Sequence, residues 1–170
     1  LSDVAKKTRA QKSASARLDA ADRQLIAAAI EARECAHAPW SCFKVGAAAR
    51  FGDEIVKGCN VEFDVYGLTN CAERTAVFAA YACGAARKRL TTIAVVADTP
   101  QPVSPCGACR QVLFECGGPD LRVLLANLRG DARAVRMGDL LPGGFALDPA
   151  TPVQTAATSK TKSAARKRRA

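Results

Sequence analysis

The sequence carries a single histidine, His37, no internal repeat, and no run of uninterrupted apolar residues long enough, at about 18, to cross a bilayer. His37 reads as a helix-end residue, and a membrane span is excluded. The N-terminal stretch is polar and basic rather than charged, then apolar, then small, so a secretory signal is not visible and the chain reads as a soluble, cytoplasmic protein. Acids are missing from the last twelve residues, and this locates the charge. Residues 1–17 hold five Lys or Arg against Asp3, residues 159–170 hold six against none, and 18–158 keep 14 basic and 15 acidic residues. The net +9 therefore belongs to the two ends, so nucleic acid is not a predicted partner of the core and stays undecided for the tails.

Both ends also lack apolar periodicity, which predicts flexible basic segments over 1–17 and 149–170 around one catalytic domain, 18–148. The 49% of hydrophobic residues in 170 suffices for a core without disulfides. Eight cysteines could form four bridges, but that framework belongs to small secreted domains with thin cores. Cys35, Cys42, Cys59, Cys83 and Cys116 accordingly read as reduced, buried thiols.

Helical spacing runs from Asp19 to His37, with Asp19 or Asp22 as cap and Pro39 as stop. Val45–Phe51 and Ile55–Val61 are β-prone runs around Gly52-Asp53-Glu54, a predicted hairpin. A small-residue helix is predicted over Cys71–Cys83 with Gly84 as stop, a central strand over Thr91–Ala97, a helix over Cys106–Cys116, and a strand over Leu121–Ala126. This order implies an α/β domain with a mixed sheet and helices on its faces.

The chemistry concentrates in Cys71-Ala72-Glu73 and, 35 residues later, Cys106-Gly107-Ala108-Cys109. Three thiolates can hold one Zn²⁺ with its fourth position open, and a carboxylate two residues from a ligand can move protons without binding the metal. If Cys71 and Cys106 open helices, unpaired amide N–H groups there favour thiolate over thiol. Arg74 adds positive charge that balances excess thiolate. A CxxC pair alone also fits a redox dithiol, and a fourth thiolate from Cys59 or Cys116 would make the zinc purely structural.

Phe43-Lys44-Val45-Gly46-Ala47, Gly58-Cys59-Asn60-Val61-Glu62, Tyr66-Gly67, Cys71-Ala72-Glu73-Arg74-Thr75 and Pro105-Cys106-Gly107-Ala108-Cys109-Arg110-Gln111-Val112 resemble the small homotetrameric cytidine deaminases, in order and at family spacing from about Ala20 to Phe145. The resemblance implies a three-layer α/β/α fold with a mixed five-stranded sheet, one Zn²⁺ per chain on Cys71, Cys106 and Cys109, and Glu73 as catalytic proton shuttle. It assigns Asn60 and Glu62 to the ribose, Phe43 to the aromatic wall, and Ser104 and Ala72 to the pyrimidine edge. Tyr66 and Phe145 are implied to line a pocket completed by neighbouring subunits of a homotetramer. Without the family, Phe43 reads as core, and Asn60 and Glu62 as ordinary loop or strand-end residues.

The implied reaction is hydrolytic deamination of cytidine and deoxycytidine, a pyrimidine salvage step. Lys44 and Phe63-Asp64-Val65 depart from the family's usual residues and touch the substrate loop rather than the metal. Deamination of a modified cytosine nucleoside such as blasticidin S is therefore an alternative. A zinc-stabilised RNA-binding module is the non-enzyme alternative, and it has no need of Glu73. Polynucleotide editing is disfavoured, because a cysteine, Cys71, stands where those enzymes generally carry a histidine ligand.

Overall fold

The computed structural model describes residues 18–146; the predicted flexible segments 1–17 and 149–170 lie outside the described residues. The first helix, α1, spans Ala20–Glu34. Its N-cap is Asp19, whose side chain accepts from the Asp22 amide while Asp22 accepts from the Asp19 amide, a reciprocal box that satisfies two orphan donors. Cys35 ends the helix, four residues before Pro39, so backbone capping rather than proline stops it.

Strands β1 (Val45–Phe51) and β2 (Glu54–Cys59) pair antiparallel, with Phe51 opposite Glu54, so the predicted turn contracts to Gly52-Asp53. Val61 falls outside β2 and forms isolated bridges to His37 and Asn70. His37 thus lies beyond α1, beside the candidate substrate segment. Helix α2 (Ala72–Cys83) stops at Gly84 in left-handed conformation, φ 83°. Strand β3 (Leu90–Ala97), α3 (Gly107–Gly117) and β4 (Arg122–Asn127) follow within one or two residues of their predicted bounds.

Two elements after β4 go beyond what the residues alone predict: β5 (Ala132–Arg136) and the one-turn α4 (Met137–Leu140). The five-residue β5 strand carries Arg133 and Arg136 along a sheet edge, which hides the usual apolar signal. The sheet order is β2-β1-β3-β4-β5, parallel only between β3 and β4. This is the mixed five-stranded sheet that the resemblance implies.

Successive strand residues face opposite sides, and the core divides accordingly. Ala48, Ala94, Val96 and Leu124 pack with Leu25 and Ala29 of α1 on one face. Ala47, Ala49, Ile93, Val95, Val123 and Leu125 pack on the other with Ala76 and Val77 of α2, Leu113 of α3 and Met137 of α4. The central strands are buried on both sides, which is why they read as continuous apolar runs.

Glycine sets the distance of two helices from the sheet. A Cβ on Gly46 would lie 2.0 Å from the Ala29 carbonyl oxygen of α1, and one on Gly58 would lie 2.3 Å from the Ala76 nitrogen of α2. Gly58 therefore fixes the seating of the helix that begins at Cys71.

The five other cysteines are free, as predicted, but none is buried: Cys35, Cys42 and Cys83 are exposed, while Cys59 and Cys116 are half-buried. Cys35 caps a helix, Cys83 ends one, and Cys42 occupies a turn at φ 55°, positions at the margins of the packed layers. Apolar neighbours in sequence did not become apolar neighbours in space.

Candidate active site

Cys71 is the N-cap of α2 and Cys106 the N-cap of α3, both with extended backbone, and Cys109 lies buried in the first turn of α3. Residues three apart share a helix face, so the two α3 sulfurs meet the Cys71 sulfur between the helix starts. The three sulfurs lie within 4.8 Å of one another, and Cys71 and Cys106 are 3.8 Å apart. A tetrahedral zinc with bonds of about 2.3 Å holds its sulfurs about 3.8 Å apart, so this donor set fits zinc and leaves one position open.

Neither candidate for a fourth thiolate joins the cluster. The Cys59 thiol donates to the Cys35 carbonyl oxygen at 3.3 Å, and the Cys116 sulfur lies 3.8 Å from the Tyr81 hydroxyl. A closed four-thiolate site has no fourth member among the described residues.

The thiols are electrostatically unequal. The hydrogen bond from Cys109, and then Arg74, hold the Cys71 pKa down to about 5 against the opposing effect of burial. Cys109 is pushed up, because Cys71 takes the negative charge beside it and because it is buried. Arg74 donates Nη2 to the Cys71 sulfur at 3.8 Å and to the Thr69 carbonyl oxygen at 3.4 Å. Its buried Nε has no partner among the described residues, a donor left over in a site built for negative charge.

Glu73 is the second residue of α2 and only 4% exposed. Burial raises its carboxyl pKa, and the negative Cys71 pushes in the same direction. A raised pKa makes the carboxyl a better proton acceptor than an ordinary one, and once protonated it can return the proton as an acid.

Beside the cluster, the chain between Ala38 and Asn70 forms the candidate pocket. Asn60, 8% exposed, accepts from the Val45 amide and donates to the Phe43 carbonyl oxygen, both at 2.8 Å, so it fixes the strand entry that presents Phe43. Phe43 is 42% exposed, not core. Glu62 accepts from the Trp40 amide at 3.1 Å, the Ser41 amide at 3.2 Å and the Ser41 hydroxyl, and the Ser41 hydrogen bond lowers its pKa most. Asn60 and Glu62 thus have structural duties inside the chain.

Glu62 and Tyr66 share a hollow of about 280 Å³ with Trp40, Ser41 and Thr69. A larger one, about 420 Å³, lies at the far end of α2 around Tyr81–Arg87 and contains none of the clustered residues. The smaller hollow is the relevant one, because it carries Glu62.

Ala72 is fully buried at the start of α2, and exposed Ser104 precedes Pro105 and Cys106. Tyr66 and Phe145 are 78% and 63% exposed and are not enclosed within the chain. The Phe145 carbonyl oxygen accepts from Gln111 Nε2 at 2.6 Å, which ties that segment to α3.

Ser41, Arg110 and Gln111 were not singled out as site residues. Ser41 lies 21 residues from Glu62, and no spacing rule joins them. Arg110 had a local signal, since a long side chain in a helix's first turn folds back over the preceding loop.

The chain is similar to proteins of known family. The model of the cytidine and deoxycytidylate deaminase zinc-binding region matches residues 19–125. A cytidine deaminase of Halalkalibacterium halodurans is 54% identical over 126 residues, covering 73% of this chain and 94% of that protein. One from Mycobacterium tuberculosis is 45% identical over 121 residues, covering 71% and 86%. The crystal structure of cytidine deaminase from Burkholderia pseudomallei superposes with a TM-score of 0.68 at 54% identity, covering 72% of this chain and 98% of that one.

Proposed function

The chain belongs to the zinc-binding cytidine deaminase family, and on that premise we propose that it hydrolyses the exocyclic amine of cytidine and deoxycytidine, giving uridine or deoxyuridine and ammonia. Cys71, Cys106 and Cys109 are the proposed zinc ligands and Glu73 the proposed catalytic proton carrier. The observation that carries this reading is the pairing of three sulfurs within 4.8 Å of one another with a buried carboxyl on the first turn of α2.

When bound, zinc supplies Lewis-acid chemistry, lowering the pKa of a water that it holds. Glu73 would take one proton from the attacking water and give it to ring nitrogen 3 as the water oxygen bonds to carbon 4. It would then relay the remaining hydroxyl proton to the exocyclic amine, so that the carbon–nitrogen bond breaks, ammonia leaves and the carbonyl of the product forms. One carboxyl thus serves as base and acid. Its raised pKa suits both directions. Arg74 compensates the charge of three thiolates.

Phe43 is proposed to flank the base, Ser104 and Ala72 to supply its edge contacts, and Asn60 and Glu62 to receive the ribose. Asn60 has a second amide hydrogen and Glu62 further lone pairs beyond their internal bonds, so both retain capacity for hydroxyl groups.

The proposed assembly is a homotetramer, with Tyr66 and Phe145 completing pockets between subunits. Their exposure, together with that of Phe63, Val65 and Leu68, supports it.

The test is an absorbance assay of cytidine, deoxycytidine and blasticidin S with zinc-quantified protein. Turnover of the first two at about one zinc per chain is expected. Zinc-loaded protein inactive on both would refute this substrate assignment.

A further inference from the structure

We propose that Arg110 is a positioning residue that clasps the turn leading into Cys106 to the C-terminal segment, and so holds the Ser104 backbone where the substrate base meets it. The inference rests on the deaminase reading for its substrate and on three hydrogen bonds for its geometry. Arg110 donates Nε to the Pro105 carbonyl oxygen at 2.8 Å, Nη2 to the Ser104 hydroxyl at 3.1 Å and Nη1 to the Leu140 carbonyl oxygen at 3.1 Å. Its own amide donates to the Cys106 carbonyl oxygen at 2.9 Å, anchoring the backbone to the same turn.

The acceptors come from two stretches of chain about 35 residues apart. Pro105 has no N–H, so the turn has one backbone donor fewer with which to fix itself. A planar guanidinium with donors in a rigid fork spans three divergent acceptors; an ammonium, a single point on a flexible stem, does not.

The C-terminal stretch is docked independently beside the clasp. Gln111 Nε2 donates to the Phe145 carbonyl oxygen, and a Cβ on Gly144 would lie 2.7 Å from the Phe114 ring, so the backbone lies directly on α3. Arg110 therefore joins the metal-side turn to a segment already fastened to the same helix. Among the described residues its side chain hydrogen-bonds to Pro105, Ser104 and Leu140 and to no sulfur of the cluster, so it acts through the turn.

The variants are Arg110→Lys, Ser104→Ala and the pair, each zinc-quantified and read by cytidine kinetics and by amide hydrogen exchange. Arg110→Lys is expected to keep its zinc and raise KM by about tenfold with a smaller change in kcat, as loss of contacts made equally to substrate and transition state requires. Exchange should rise together in the peptides covering 104–107 and 140–145. Ser104→Ala removes one acceptor only and should raise KM about two- to threefold, without adding to the effect of Arg110→Lys in the pair.

Wild-type KM and exchange in Arg110→Lys overturn the proposal. Lowered thermal stability with unchanged KM overturns it too, because the side chain is then structural only. If the wild type fails to turn over cytidine, the deaminase reading falls, while the coupled exchange still decides whether Arg110 clasps the turn.

Discussion

Glu73 and Asn60 show how differently two polar side chains with little exposure are used, at 4% and 8% respectively. Asn60 spends an acceptor and a donor on the backbone of Val45 and Phe43; Glu73 is held at raised pKa by burial, beside thiols. Glu73→Gln keeps the volume and removes the proton carrier. It should retain zinc and lose about 10²- to 10⁴-fold in turnover, read by metal analysis and ammonia release. Activity near wild type with zinc bound would take the proton-carrier role from Glu73. Asn60→Ala leaves the Phe43 carbonyl and Val45 amide without their partner. It should cost about 1–3 kcal/mol in denaturant unfolding and also raise KM, because Phe43 loses its support. A raised KM at full stability would make Asn60 a ligand contact alone. The Cys106/Cys109 pair was legible because its spacing is local, and Cys71, 35 residues before Cys106, because Glu73 marks it and the resemblance joins it to the pair. The Asn60 and Glu62 partnerships were not, because their acceptors and donors lie 15 to 22 residues away and meet only after the hairpin forms.

Among the elements, α1 and β4 are joined by Arg122, whose Nε and Nη2 donate to Asp22 at 3.1 and 2.7 Å. Burial alone would raise the Asp22 pKa; the Arg122 bonds and the Asp19 amide outweigh it, and the pKa lies below the ordinary 3.8. A carboxylate with a depressed pKa stabilises the fold above its unfolded value, and that contribution disappears as pH falls through the folded pKa. Asp22→Asn should thus cost about 1–2 kcal/mol at pH 7, the lower part of the range for charged hydrogen bonds because Arg122 is a third exposed. The difference from wild type should shrink as acid titrates the carboxylate, measured by urea unfolding across that range. A constant difference with pH would rule out the ion pair as its source. Gly58→Ala tests the seating of α2: its methyl meets backbone atoms of Ala72 and Ala76, which cannot rotate away. Overpacking should cost about 1–3 kcal/mol and lower activity through the displaced start of α2. Helices and inner strands were legible from period and composition, whereas β5 was not, because its edge position admits arginine where a buried strand would show apolar residues.

At the scale of the whole molecule, the apolar side chains left outside are concentrated where the site is. Phe63, Val65, Tyr66 and Leu68, each at least half exposed, lie on the loop between Glu62 and Cys71, and Phe78 and Tyr81 are exposed farther along α2. A single chain seldom keeps so many large apolar groups in water on one stretch, whereas interfaces between copies are built from them. In the proposed homotetramer a neighbour seated on this loop would lie beside the hollow that Glu62 shares with Tyr66 and Thr69, which would tie assembly to activity. The charge distribution permits this, because the excess of positive charge resides in the ends and leaves residues 18–158 nearly neutral, with little self-repulsion between cores. Leu68→Glu places a carboxylate on the exposed apolar loop, at a residue with no proposed catalytic role. Light scattering should find the wild type at about four times the 17.9 kDa chain and the variant smaller. Cytidine turnover should fall with particle size, while zinc content and helix content by circular dichroism stay unchanged. A monomeric wild type with full turnover would show that each chain closes its own pocket and that the exposed loop serves another purpose.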